Sequence, residues 1–263
     1  MIPEPLVGQY VPGHSPVHRL DPRTKIGLLA AYSVVLFMVQ DWAAYGVLGA
    51  AVLAAAGLAR LPLAGLVAGL RPMAWLVGLT LVLNLVAVPG DPLVVVGPVV
   101  ATRQGLELGL RLAARLLLLV AAASLLTLTT SPIALTDGLE ALLRPLGRWV
   151  PAHELAMMMT IALRFIPTLA EEAERIMKAQ LARGAQFHRG GPVQRLRALV
   201  PLLVPLFVSA FRRADDLAIA MEARGYRGGR GRTRYRELRA TGRDAVAALL
   251  ASAVLGLALW LGR

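Results

Sequence analysis

Two arginines stand in identical settings: Ala182-Arg183-Gly184 within "QLARGAQF" and Ala223-Arg224-Gly225 within "AMEARGYRGGR". Each triplet closes a long helical pattern. A glycine after the last turn readily takes the left-handed conformation that caps a helix, and an arginine there faces the negative end of the helix dipole. Taken singly, each triplet is a stop signal. As a pair on adjacent amphipathic helices they offer a further chemistry. A guanidinium flanked by Ala and Gly is sterically unencumbered, so it can enter a groove on another protein and make forked bonds to carboxylates or carbonyls. Two such tips give a two-point attachment.

Other residues invite enzymatic readings that their surroundings do not sustain. His153-Glu154 opens a zinc-protease pattern, but the second ligand of His-Glu-x-x-His would be Met157, which leaves a helix-start charge or polar contact. Glu171, Glu172 and Glu174 share their helix with Arg175 and Lys178 and read as a solvated face rather than as acid–base groups. There is no Walker A pattern for a nucleotide and no cysteine for a disulfide, thiolate metal site or thiol nucleophile, so neither cofactor nor metal is expected. The run "RGYRGGRGRTRYRELR" could contact phosphates and stack on bases. Directly before an apolar span, however, it reads first as a topology determinant facing anionic headgroups, so membrane lipid rather than nucleic acid is the expected contact.

The elements that must hold these residues are those of a membrane protein. The chain has 263 residues, 57% of them hydrophobic, with a mean hydropathy of +0.62 and a formal charge of +12. That is too apolar for a soluble domain of this length. The first 25 residues carry prolines and scattered charge, and no cleaved leader is expected. Apolar spans are expected at Ile26 to Val39, with Thr24 and Lys25 as a snorkelling end, at Trp42 to Ala59, and at Met73 to Val88. "PGDPLVVVGPVVATRQG" then reads as a loop or small hairpin, a fourth span ends at "LLTLTTSP", and a fifth runs from Ala245 to Leu261. Early in the fourth helix Arg103, Glu107, Arg111 and Arg115 form one stripe, in which the glutamate can pair with the next arginine. The stripe is either a functional intramembrane charge or an interface segment buried against its neighbours.

From Ser131 to Gly242 eighteen Lys and Arg face ten Asp and Glu. The positive-inside rule places this stretch, the N-terminus and the Arg60 to Arg71 link in the cytoplasm, with the C-terminus outside. Three helical patterns lie in it: "PIALTDGLEALLRPLG", then a long amphipathic helix bent at Pro167, then a second from Pro192 to Arg224. In the first long helix Leu155, Met159, Ala162, Ile166, Leu169, Ala173, Ile176 and Met177 are expected to form the apolar stripe. The fold class is therefore an all-α integral membrane protein of about five spans. Residues 1–130 form its N-terminal segment and first four spans, 131–242 its cytoplasmic coupling helices and 243–263 its last span. Internal repeats and interrupted midplane helices, the marks of a stand-alone secondary transporter, are not found.

With "YVPGHSPVHRLDPRTK", "LTTSPIALTDGLEALLRPLG", "IALRFIPTLAEEAERIMKAQLARGA" and "LVPLFVSAFRRADDLAIAMEARGYRGGRGRTRY" in register over most of its length, the chain resembles the transmembrane T component of energy-coupling factor (ECF) vitamin transporters. The resemblance implies a non-catalytic scaffold of the cell membrane that links two related cytoplasmic ATPases to a separate vitamin-binding S component. It implies that Arg183 and Arg224, with Ala182, Gly184, Ala223 and Gly225 around them, insert into grooves of the two ATPases. The opening segment and "AMEARGYRGG" look more like the shared type, which serves several S components, than like the dedicated biotin or cobalt versions.

Overall fold

The computed structural model describes residues 10–61, 69–96, 99–146, 149–185, 191–228 and 240–262. The described chain is helical apart from one hairpin. In order it contains α1 (Pro22–Met38), α2 (Trp42–Leu58), a 3₁₀ turn (Arg71–Met73), α3 (Ala74–Ala87), β1 (Pro92–Val96), β2 (Val99–Thr102), α4 (Arg103–Thr129), α5 (Pro132–Leu143), a second 3₁₀ turn (Arg144–Leu146), α6 (Ala152–Ala182), α7 (Pro192–Ala223) and α8 (Gly242–Leu261). It divides into two compact units: Gly8–Leu142 with Glu237–Arg263, and a unit built on Leu143–Arg236.

In the first unit α4 packs against α1, α2 and α3, while α8 packs against α1 and α2. Local sequence sets the helix ends. Asp21 caps α1 by accepting the Arg23 N–H (2.9 Å), with Pro22 preorganised at the first helical position. Thr102 caps α4 by accepting the Gly105 N–H (3.1 Å) and donates its own hydroxyl to the Val88 carbonyl (2.6 Å). The Pro-Gly segment is the anticipated hairpin, antiparallel, with Val95 opposite Val100 and Val96 opposite Val99.

Close approach of α3 and α4 depends on two glycines spaced one turn apart, Gly105 and Gly109. A Cβ at Gly105 would lie 2.3 Å from the Asn84 carbonyl oxygen, and one at Gly109 would touch Leu81 and Asn84 at 3.4 Å. This is the small-xxx-small solution to packing helices where apolar burial alone gives no drive. Tyr32, Val35, Leu36, Val39, Ala44, Tyr45, Leu48 and Val52 form the core between α1 and α2, joined by Ala122 of α4 and Ala258 of α8.

Outside that core the helices are apolar where they are exposed. Val34, Phe37, Leu53, Val82, Leu249 and Leu250 are all more than half exposed, a surface suited to lipid and unsuited to water. Among the described residues α4 and α8 are long and apolar enough to cross a membrane, whereas α2 and Arg71–Ala87 are apolar but shorter.

One expectation is corrected. Lys25 does not snorkel from the end of the first span: it is buried, and its Nζ donates to the Thr129 carbonyl (3.0 Å) and the Thr130 hydroxyl (3.0 Å). The end of α4 leaves carbonyls without intrahelical donors, and the ammonium on α1 satisfies one of them. Nearby, the Asp244 carboxylate accepts the Asp21 N–H (2.7 Å) and the Thr241 N–H and hydroxyl (2.8 Å each), which ties the start of α8 to the start of α1.

Candidate functional site

The second unit is dominated by α6 and α7. Both exceed thirty residues and both contain interior prolines: Pro167 in α6, Pro201 and Pro205 in α7. Contacts fix their direction. Gln180 of α6 donates to the Pro201 carbonyl (3.3 Å), Glu172 meets Ser209 and Arg213, and Ile161, Phe165 and Leu169 line an apolar seam with Ala210, Ala214, Leu217 and Met221. Residue numbers fall along α6 as they rise along α7, so the two helices run antiparallel.

The antiparallel course puts the two Ala-Arg-Gly endings at opposite ends of the pair. Their local geometry is the same. Ala182 and Ala223 are the last helical residues, and Arg183 (φ −83°) and Arg224 (φ −85°) are the caps. Gly184 (φ +87°) and Gly225 (φ +73°) take the left-handed position. Gly184 N–H reaches the Leu181 carbonyl (3.0 Å) and Ala185 N–H the Gln180 carbonyl (2.9 Å). In α7, Gly225 N–H reaches Glu222 (2.8 Å) and Tyr226 N–H reaches Met221 (3.0 Å). This pair of nested bonds is the Schellman arrangement, formed twice.

What glycine does there is clear from the end of α2, where the chain has Ala59-Arg60 with leucine next. Arg60 itself must take the left-handed position (φ 53°). At α6 and α7 the glycine assumes that conformation, so the arginine stays at negative φ (ψ 5° and 8°) on the cap directly after the last helical residue. Both arginines and both flanking alanines are exposed, and space around both glycines is open. Each arginine therefore sits on the cap, one residue beyond the last turn, with its guanidinium available for forked bonding.

The pair's apolar face overlaps the sequence stripe only in its second half. Leu155, Met159, Ala162 and Ile166 are exposed, whereas Leu169, Ala173, Ile176 and Met177 are partly covered; the seam residues Ile161 and Phe165 were not in the expected stripe. Nor is Glu172 part of a solvated face. Its Oε1 accepts from the Ser209 hydroxyl (3.0 Å) and its Oε2 from Arg213 Nη2. Glu174 is the solvated acid: Lys178 Nζ, 2.8 Å away, donates to its carboxylate and holds it below the usual carboxylate range. Glu171 is exposed, and Glu154 lies in the first turn of α6, where negative charge suits the helix dipole.

Glu172, Ser209 and Arg213 were missed, because the contacts join residues thirty-seven and forty-one positions apart and no local pattern marks them. The forty-one-residue offset that maps Arg183 onto Arg224 maps Glu172 onto Arg213.

In the first unit the α4 stripe is divided between two roles. Arg111 pairs with Glu107 (2.5 Å) at a part-exposed site. Arg115 Nη2 donates to the Val39 carbonyl (3.2 Å) and the Tyr45 hydroxyl (3.1 Å), with its guanidinium 5.1 Å from the Phe37 ring centre. Arg115 thus closes the end of α1 and the turn into α2, as the interface reading of the stripe requires. The Arg-rich segment 229–239 lies outside the described residues.

Comparison with known proteins finds relatives over nearly the whole chain. The model of the cobalt transport protein family (CbiQ) matches residues 13–235. The energy-coupling factor transporter transmembrane protein EcfT of Thermosediminibacter oceani is 55% identical over 250 residues, covering 95% of this chain and 94% of its own. The protein of the same name from Acidaminococcus fermentans is 50% identical over 262 residues, covering 99% and 98%. That from Bacillus subtilis is 48% identical over 246 residues, covering 93% of each. With these two tips, an apolar helical bundle and likeness along nearly its whole length, the chain belongs to the EcfT family of energy-coupling factor transporter transmembrane proteins.

Proposed function

We propose that the chain is the coupling subunit of an ECF-type importer, in which Arg183 and Arg224 each enter a groove on one of two related ATPases while the membrane helices dock an S component that carries the vitamin. The observation that carries this reading is the duplicated tip: two exposed arginines, each extended beyond a capped helix, at opposite ends of one antiparallel pair. Antiparallel arms cannot reach one small site together, so they call for two acceptors. A pair of related ATPases supplies them.

The membrane part is read as five crossings, α1, α2, Arg71–Ala87, α4 and α8, with α5 to α7 in the cytoplasm and the C-terminus outside. Charge supports that orientation, since the stretch from Ser131 to Gly242 holds eighteen basic against ten acidic residues. Tryptophans support the crossings, though not their direction: Trp42, Trp75 and Trp260 are exposed at helix ends, where an aromatic belt would lie at either interface. We take the subunit to be the shared type.

Affinity capture from native membranes in mild detergent, followed by mass spectrometry, tests the reading. Two ATPases with several small membrane proteins support a shared subunit, and one constant small membrane protein indicates a dedicated one. Arg183→Glu or Arg224→Glu should each weaken ATPase retention by about 30-fold, the loss of a buried interface anchor, and the double variant by more. Full retention and uptake in the double variant would reduce both arginines to helix caps.

A further inference from the structure

Glu172 and Arg213 lie at the same point of their respective arms. Each precedes its tip arginine by eleven residues, about three helical turns or 16 Å. Two antiparallel helices of equal arm that cross at equivalent residues are related by an approximate two-fold axis through the crossing. That axis exchanges Arg183 with Arg224, which then stand on the order of 30 Å apart.

The crossing itself is held by a directional contact. The Glu172 carboxylate takes one bond from Ser209 (3.0 Å) and one from Arg213, and both charged side chains are only about a quarter to a third exposed (26% and 33%). On the Arg224 side of it the seam is apolar, formed by Ile161, Phe165 and Leu169 against Ala214, Leu217 and Met221, and on the Arg183 side an exposed amide bond from Gln180 to the Pro201 carbonyl (3.3 Å) joins the helices. Apolar contacts are non-directional, so such a seam tolerates sliding by a turn. A partly buried ion pair does not, because leaving a charge there without its partner is costly. The two positions are equivalent by the forty-one-residue offset, and identical charges on the axis would repel; Glu opposite Arg is the combination that holds equivalent positions together.

We infer that Glu172, through Arg213 and Ser209, is a positioning residue that fixes the register in which α6 and α7 cross, and so sets the spacing of the two arginine tips that a two-fold related partner must match. The partner clause rests on the reading of the tips as ATPase anchors; the register clause does not. A slip of one turn along the seam displaces one tip by about 5.4 Å relative to the other, enough to take an arginine out of its groove.

The chain contains no cysteine, so Leu181→Cys and Glu222→Cys beside the tips give a clean pair of spin-label sites on exposed residues. The tip-to-tip distance is measured on the full chain in lipid nanodiscs, alone and within the complex. A single narrow distribution is expected for the unaltered pair. Glu172→Gln and Arg213→Gln should broaden or split it by about one helical turn, Ser209→Ala should broaden it less, and the exchanged pair Glu172→Arg with Arg213→Glu should narrow it again. In proteoliposomes each single charge variant should lose about 5-fold or more in uptake per ATP hydrolysed, recovered in the exchanged pair. The inference is overturned if the distribution is unchanged in Glu172→Gln and Ser209→Ala. A broadened distribution with no ATPase ever retained by the unaltered chain would leave the pin standing and remove the coupling reading.

Discussion

Arg115 offers the most quantitative test of the membrane unit. Truncation to alanine removes the bonds to the Val39 carbonyl (3.2 Å) and the Tyr45 hydroxyl (3.1 Å) and the ring contact with Phe37 (5.1 Å). Hydrogen bonds from a charged donor contribute about 1.5–3 kcal/mol each and a partly desolvated cation–π contact about 1 kcal/mol. Two features reduce the sum. Val39 keeps a bond from the Tyr45 hydroxyl (3.2 Å), so its carbonyl is not orphaned. The Arg115 Nε is buried without a partner, so the wild-type side chain already bears a desolvation cost. The expected net loss is about 2–4 kcal/mol. Reversible unfolding of the purified protein in mixed micelles, followed by far-UV circular dichroism as the denaturing detergent fraction rises, measures it. Arg115→Lys should fall between, since one ammonium cannot reproduce the fork. A cycle with Tyr45→Phe should show a coupling of about 1 kcal/mol. If Arg115→Ala unfolds within about 0.5 kcal/mol of wild type, the surface-like figure, the three contacts are incidental and the arginine is free for another task.

Two further outcomes follow from the same unit. Gly105→Ala should destabilise by about 1–3 kcal/mol on that assay, because the new methyl meets the Asn84 carbonyl at 2.3 Å and backbone cannot swing aside, whereas Gly46→Ala, with nothing within 4 Å, should be neutral or stabilising. Lys25→Met should cost about 1–3 kcal/mol by leaving the Thr129 carbonyl without its donor, although methionine fills similar volume; an unchanged midpoint would show that water replaces the ammonium there.

Much of this architecture is legible from the chain because the signals are local. The second apolar helix was expected at Trp42 to Ala59 and occupies Trp42–Leu58, and the last was expected from Ala245 and starts at Gly242, since an apolar run and a cap are properties of a few consecutive residues. The ends of α6 and α7 are legible for the same reason: only glycine takes the left-handed position without strain. Facing is harder to read. On α6 both Leu155-Met159-Ile166 and Ile161-Phe165-Leu169 are apolar, so periodicity cannot choose which side meets α7, and the structure selects the second. Glu172 and Lys25 resist for a related reason. A charged residue reads as solvated until a partner distant in sequence, Arg213 or Thr129, is brought beside it.

The α6–α7 pair also carries evidence that it does not work bare in water. Val200, Val204, Phe207 and Phe211 of α7 are each more than half exposed, and Met158 of α6 is as well. Fully burying a side chain of this kind contributes about 1.5–3 kcal/mol, so five that are each a little over half exposed forgo roughly 4–9 kcal/mol. That is comparable to the whole net stability of an ordinary domain, about 5–15 kcal/mol. A sequence that kept such a surface for no purpose would gain by replacing it with polar residues, which cost a helix nothing at exposed positions. The tips show the contrast, since the residues directly flanking Arg183 and Arg224 are Ala182, Gly184, Ala223 and Gly225, small side chains that tolerate exposure. The pair thus combines polar ends suited to a partner that binds and releases with an apolar flank suited to permanent cover by membrane or a membrane protein. On the coupling role proposed above, force applied at the ends would be transmitted to what covers the flank, provided the crossing between them does not slip.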